Sequence, residues 1–209
     1  MSEQQESLKD LQHIKQMMER SSRFISLSGW SGIAAGITAL IAAFVAKDQI
    51  DHWLPMFQDP YRTDWGELER NLIMIAATTF IVAFVSAFFF TYYRSRKHGV
   101  AIWGAASRRL LFAVAVPLVA GGLFLLKEIE FGNYALIAPG CLIFYGLALV
   151  NASKYTLGEV KYLGYSQLIL GVINCWMVGY GLYFWAIGFG VLHIVYGAIM
   201  WNRYERTVD

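Results

Sequence analysis

Along most of this chain, apolar residues come in long blocks and do not alternate with polar ones. A helix crossing a hydrocarbon core of roughly 30 Å needs about 20 predominantly apolar residues. Six blocks of that kind are legible, at about 24–46, 71–93, 110–126, 134–152, 162–179 and 182–202. The last two form one stretch, Tyr162 to Asn202, without a single Asp, Glu, Lys or Arg. Gly179-Tyr180-Gly181 is its natural break, since two glycines permit a tight turn. The pattern predicts an all-α integral membrane bundle of six transmembrane helices whose last pair is a near-loopless hairpin.

The polar segments between the blocks carry different patterns. Within residues 1–23, Leu8, Leu11, Ile14 and Met18 recur at helical spacing, with Lys9, Lys15, Glu19 and Arg20 on other faces. This reads as an amphipathic N-terminal helix on the inner membrane surface or under the bundle, or as a short docking or coiled-coil helix. It is too polar for a signal peptide, and the apolar run after it is too long for one. Residues 47–70 form the longest loop, acidic and interleaved with Trp53, Phe57, Tyr61 and Trp65. Ile50, Trp53, Leu54 and Phe57 would line a short interfacial helix there, limited by Pro55 and Pro60. The domain reading is a cytoplasmic amphipathic helix at 1–23, a membrane domain at 24–202 and a cytoplasmic tail at 203–209.

Composition strengthens this reading. The 209 residues are 57% apolar and 15% charged, against about 45–50% and about 25% in soluble domains. Charge then sets the orientation. The N-terminus, the 94–109 and 153–161 loops and the C-terminus hold thirteen of the seventeen Lys and Arg residues. The positive-inside rule places those segments, and both termini, in the cytoplasm. Residues 94–109 carry Arg94, Arg96, Lys97, Arg108 and Arg109 and no acid, which suits anionic lipid headgroups. A sixteen-residue loop anchored in the membrane at both ends is a poor nucleic-acid surface, so no nucleic-acid partner is expected. Cys141 and Cys175 both fall inside spans and read as small buried hydrophobes.

Candidate chemistry is sparse. Ionisable groups inside a membrane mark proton relays and ion paths, and the six blocks contain no Asp, Glu, Lys or Arg. No nucleophile elbow, zinc-protease motif or phosphate-cradling loop occurs. Asp48, Asp51 and His52 lack a metal-ligand spacing and read as a solvated acidic loop. A haem wants two axial ligands, and His193 is the only His within a span. No enzyme activity, metal or cofactor is expected.

Two features stand out inside the spans. The first is a polar cluster: Gln167 and Asn174 seven apart on the fifth span, facing His193 and Tyr196 on the sixth. It reads as interhelical hydrogen bonding, as a binding pocket for a neutral or amphipathic ligand, or as a proton sensor at His193. The second is a set of small faces suited to close helix packing. Ser28, Gly32 and Gly36 lie on the first span, Gly164 and Gly171 on the fifth, and Gly190 and Gly197 on the sixth. Gly29–Gly36, Gly164–Gly171 and Gly190–Gly197 share a seven-residue interval, which shared packing needs or an ancestral repeat would produce. Pro117 and the Gly121-Gly122 pair predict a kink in the third span.

Leu118-Val119-Ala120-Gly121-Gly122, the run Leu142 to Lys154, the stretch Gly181 to Gly197, and Met17 to Arg23 together resemble a family of small six-span bacterial membrane proteins without assigned activity. The resemblance implies a bacterial inner-membrane location and supplies no catalytic residues. The expected role is structural, regulatory or accessory, through helix packing and a possible homo-oligomer in the lipid bilayer. The alternative is a carrier or channel for a small neutral or amphipathic molecule.

Overall fold

A computed structural model describes residues 28–53, 65–97 and 103–206. The expected amphipathic helix at 1–23 lies outside the described residues, as do Leu54 and Phe57. Among the described residues all regular structure is helical. The six helices are α1 (Gly29–Trp53), α2 (Trp65–Lys97), α3 (Ala105–Glu130), α4 (Ile137–Ala152), α5 (Val160–Trp176) and α6 (Gly181–Tyr204). A single 3₁₀ turn, Tyr134–Leu136, leads into α4. Five are long and apolar enough to cross a membrane, α4 when its leading 3₁₀ turn is included (Tyr134–Ala152, 19 residues); α5, with 17 residues, is the exception.

The helices outrun the apolar blocks that announce them. At 1.5 Å per residue, the 33 residues of α2 extend about 50 Å. Residues 47–53, expected to open the acidic loop, continue α1 instead. Lys47 and Asp51 pair there one turn apart, so the charges support the helix rather than end it. Ile50 and Trp53 therefore belong to α1 and not to a separate interfacial helix. The break expected near Gly179 is where the chain turns: α5 ends at Trp176, and Gly179 adopts φ +91°, a backbone conformation open to glycine. Pro117 lies inside a continuous α3.

α1 runs antiparallel to α2 and α6, and α4 runs antiparallel to α3 and α5, whereas α4 and α6 run parallel. α1 packs between α2 and α6, while α4 packs between α3 and α5. α6 joins the two groups: its Gly181–Trp185 turn leans on α4, and the rest lies along α1. Helices α2 and α3 are outermost, and each leans mainly on one neighbour.

Glycines set the closest approaches. A methyl group at Gly36 would lie 2.6 Å from the Gly190 carbonyl oxygen, and one at Gly197 would lie 2.6 Å from that of Gly29. The two seven-residue intervals thus face each other in antiparallel register, Gly29 against Gly197 and Gly36 against Gly190. Between them, a methyl at Gly32 would lie 3.1 Å from the Gly197 Cα. The α4–α5 seam repeats the device. A methyl at Gly164 would lie 2.9 Å from the Gly146 carbonyl oxygen, and one at Gly171 would lie 3.0 Å from that of Pro139. Removing the side chain from both sides lets backbones touch, which apolar bulk elsewhere forbids.

One end of the bundle is tied by charge. Glu205, just past α6, accepts from the Gly29 backbone N–H at 2.6 Å, from Ser28 Oγ at 3.1 Å and from Arg94 Nη1 at 2.9 Å. A carboxylate thus caps the first turn of α1, where unpaired N–H groups and the helix dipole favour negative charge. The Arg94 and Glu205 side chains are only 15% and 17% exposed. Beside them Glu159 accepts from Tyr204 Oη at 2.6 Å and pairs with Arg203 at 3.1 Å. The starts of α1 and α5 and the ends of α2 and α6 are thereby joined at what we term the basic end. At the opposite end, Tyr134 Oη donates to Glu69 Oε2 at 2.6 Å.

Candidate functional site

The polar cluster is built where α4, α5 and α6 meet. Its geometry depends on a π-helical segment, Ala186–Leu192, in the middle of α6. A wider turn of that kind frees backbone groups from the ordinary α pattern. Two side chains converge on the Gly188 carbonyl: Gln167 Nε2 donates at 2.8 Å, and His193 Nδ1 lies at 3.0 Å. Gly188 must lack a side chain, because a Cβ there would sit 2.5 Å from Gln167 Oε1.

The tautomer of His193 follows from its partners. A carbonyl oxygen only accepts, so Nδ1 carries the proton and donates to Gly188. In neutral imidazole Nε2 then accepts, and Tyr145 Oη, 2.8 Å away on α4, is the donor. Both ring nitrogens are used within the protein, and His193 is 7% exposed. Aromatic rings enclose the pair. Phe189 stacks on His193 with centroids 5.9 Å apart and lies tilted against Tyr145 at 5.0 Å, and Trp185 continues the row at 5.1 Å from Phe189.

The four residues expected to cluster are not all brought together. Gln167 and His193 meet through the shared carbonyl. Asn174 is buried nearer the turn, where its Nδ2 donates to the Met177 carbonyl at 3.3 Å and closes the end of α5. Tyr196 keeps its hydroxyl buried and without a hydrogen-bond partner. Gln167 Oε1 and Asn174 Oδ1 are likewise buried acceptors without donors. The sequence reading omitted Tyr145. Its signal was weak, one of twelve tyrosines in the chain, although a phenol near the middle of an apolar block needs a partner. It also missed the Gly188 carbonyl, since backbone freed by a π turn leaves no side-chain trace.

The residues expected to pack helices lie in the two glycine seams, with one exception. Ser28 is buried at the basic end and hydrogen-bonds Glu205 instead of facing a neighbouring helix backbone. Of the glycine pair in α3, a methyl at Gly121 would strike the Phe144 ring, whereas Gly122 faces open space.

Electrostatics concentrate at the basic end. The Tyr204 hydroxyl, followed by Arg203 and Lys161, holds the Glu159 carboxyl below its ordinary range. No group of His, Cys, Asp and Glu able to hold a metal occurs among the described residues. A cleft of about 560 Å³ opens between the start of α3 and the end of α4. A second, of about 460 Å³, runs between α1 and α2 past Thr38, Thr78 and Thr79. No family model, curated protein or solved structure matches the chain.

Proposed function

We propose that this chain is a six-span, non-enzymatic protein of a bacterial inner membrane, with both termini cytoplasmic. Its role is structural, regulatory or accessory and works through helix packing. The internal hydrogen bonding of His193 carries this reading. His193 spends both nitrogens on Tyr145 and Gly188, and Gln167 donates to the same carbonyl, so the group acts as a latch between α4, α5 and α6. The basic end, with Arg94, Arg108, Arg109 and Arg203, is the cytoplasmic side and faces anionic headgroups. The exposed apolar faces of α2 and α3, with Phe80, Phe84, Leu111 and Val119 among them, suit lipid or a second copy in a homo-oligomer.

Three buried polar atoms without partners, the acceptors Gln167 Oε1 and Asn174 Oδ1 and the Tyr196 hydroxyl, favour a second reading. In it the chain carries a small neutral or amphipathic molecule that supplies the missing hydrogen-bond partners.

A pair of variants separates the two. His193→Phe strands the Tyr145 hydroxyl and should lower stability by about 1–3 kcal/mol. Adding Tyr145→Phe removes the stranded group and should restore part of that loss. A cellular phenotype that follows detergent melting temperature across both variants supports the latch. Loss of the phenotype in Tyr145→Phe/His193→Phe at wild-type melting temperature and expression would reject the latch in favour of the carrier.

A further inference from the structure

The cleft at the start of α3 has the charge and shape of an anion site. Its wall on α3 is Ala105, Arg108, Arg109 and Phe112, and its wall on α4 is Asn151, followed by Tyr155 in the next turn. The back is fixed, because Asn151 Nδ2 donates to the Ala113 carbonyl at 2.8 Å. Among the described residues no carboxylate pairs with Arg108 or Arg109, and none lines the cleft. The first turn of α3 contains no acid either. Two guanidinium groups therefore stand near the positive end of a 26-residue helix dipole, which ordinarily favours anions and disfavours cations. An external anion resolves that conflict, and guanidinium forks match phosphate oxygens.

The surroundings select among anions. Phe112 is 69% exposed, and Leu111, Val116, Val119 and Leu123 continue an exposed apolar surface along α3. A ligand with a phosphate at Arg108 and Arg109 and hydrocarbon lying down α3 would use both features. A soluble phosphate would use only the first. The cleft volume of about 560 Å³ accommodates a headgroup.

We propose that this cleft binds the phosphate of an anionic phospholipid, clamped by Arg108 and Arg109 and bordered by Tyr155 and Asn151. The proposal rests on the membrane reading above and narrows the headgroup contact from a diffuse basic segment to one built cleft.

The test measures melting temperature of the purified full chain in neutral detergent. Three probes are added separately: phosphatidylglycerol, phosphatidylcholine of equal chain length, and glycerol 3-phosphate. Phosphatidylglycerol should raise the melting temperature by several degrees, and the other two should not. Arg108→Gln/Arg109→Gln should lose most of that rise. Lys161→Gln/Arg206→Gln removes the same charge from the same end, outside the cleft, and should keep it. Ala105→Glu places a carboxylate in the cleft at a helix start where acids are favourable. It should keep or raise the lipid-free melting temperature while losing the lipid response, so it carries the test if the double arginine variant does not purify. An equal loss in Lys161→Gln/Arg206→Gln would reduce the effect to diffuse attraction and overturn the cleft. An equal rise with glycerol 3-phosphate would overturn the lipid as occupant. Failure of the membrane reading shows separately, as release of the chain from membranes by alkaline carbonate.

Discussion

The inner helices α1, α4, α5 and α6 and the outer helices α2 and α3 solve the same problem by different means. The inner helices meet through glycine, backbone against backbone, with a hydrogen-bonded latch at their junction. The outer helices lean on one neighbour each. α2 is also tied at its ends, by Arg94 to Glu205 and by Glu69 to Tyr134. Both groups are equally apolar to the eye, yet apolar surface does not distinguish helix from lipid as it distinguishes helix from water. Steric fit is what separates them. The inner contacts tolerate no added atom, whereas much of the outer surface tolerates many.

Added bulk should break this comparison most sharply. Gly36→Leu and Gly164→Leu push a side chain into a carbonyl less than 3 Å away and should cost about 3 kcal/mol or prevent folding. Gly32→Leu, whose nearest contacts lie at 3.1 and 3.2 Å, should cost less. Phe84→Leu on α2 should stay within about 0.5 kcal/mol. The adjacent glycines of α3 sharpen the contrast within one turn. Gly121→Ala should destabilise against Phe144, while Gly122→Ala should stabilise by up to about 1 kcal/mol through helix propensity. Detergent melting of the series checks both claims, and an equal response at positions 36 and 84 would remove the distinction between inner and outer helices.

The clasp that Glu205 forms at the basic end with Ser28, Gly29 and Arg94 should show a smaller effect of another kind. Glu205→Gln leaves Arg94 without its carboxylate and weakens the cap on α1, for an expected loss of about 1–2 kcal/mol. Arg94→Gln in the same background should cost less than it does alone, because the Arg94–Glu205 pair is then already lost. A double-mutant cycle measures this, and full additivity would show that the clasp does not hold α2.

Much of this arrangement was legible before any coordinates. The apolar blocks announced all six helices, and Gly179 marked the turn between the last two. The seven-residue glycine intervals announced packing faces, because a glycine repeated on one helix face has a steric meaning independent of context. The pairing of faces was not legible: nothing in Gly29–Gly36 names Gly190–Gly197 as its partner rather than Gly164–Gly171. Helix ends were misjudged at residues 47–53 because charge was read as a stop signal, although Lys47 and Asp51 satisfy each other on the helix. The clasp was invisible for a simpler reason, since Ser28 and Glu205 lie 177 positions apart. In the cluster, Gln167 and His193 announced themselves as polar groups in apolar blocks, but their meeting point is a backbone carbonyl.

The central claim is that these helices cross a membrane with the basic end in the cytoplasm. Single cysteines at Glu130 and Lys154 test it most directly, in a background with Cys141→Ala and Cys175→Ala. Both positions are exposed, one at the end of α3 and the other just beyond α4. In intact spheroplasts, an impermeant maleimide should label position 130 and should reach position 154 only after lysis. Labelling of position 154 but not 130 would invert the orientation, and equal labelling of both before lysis would contradict the membrane crossing itself.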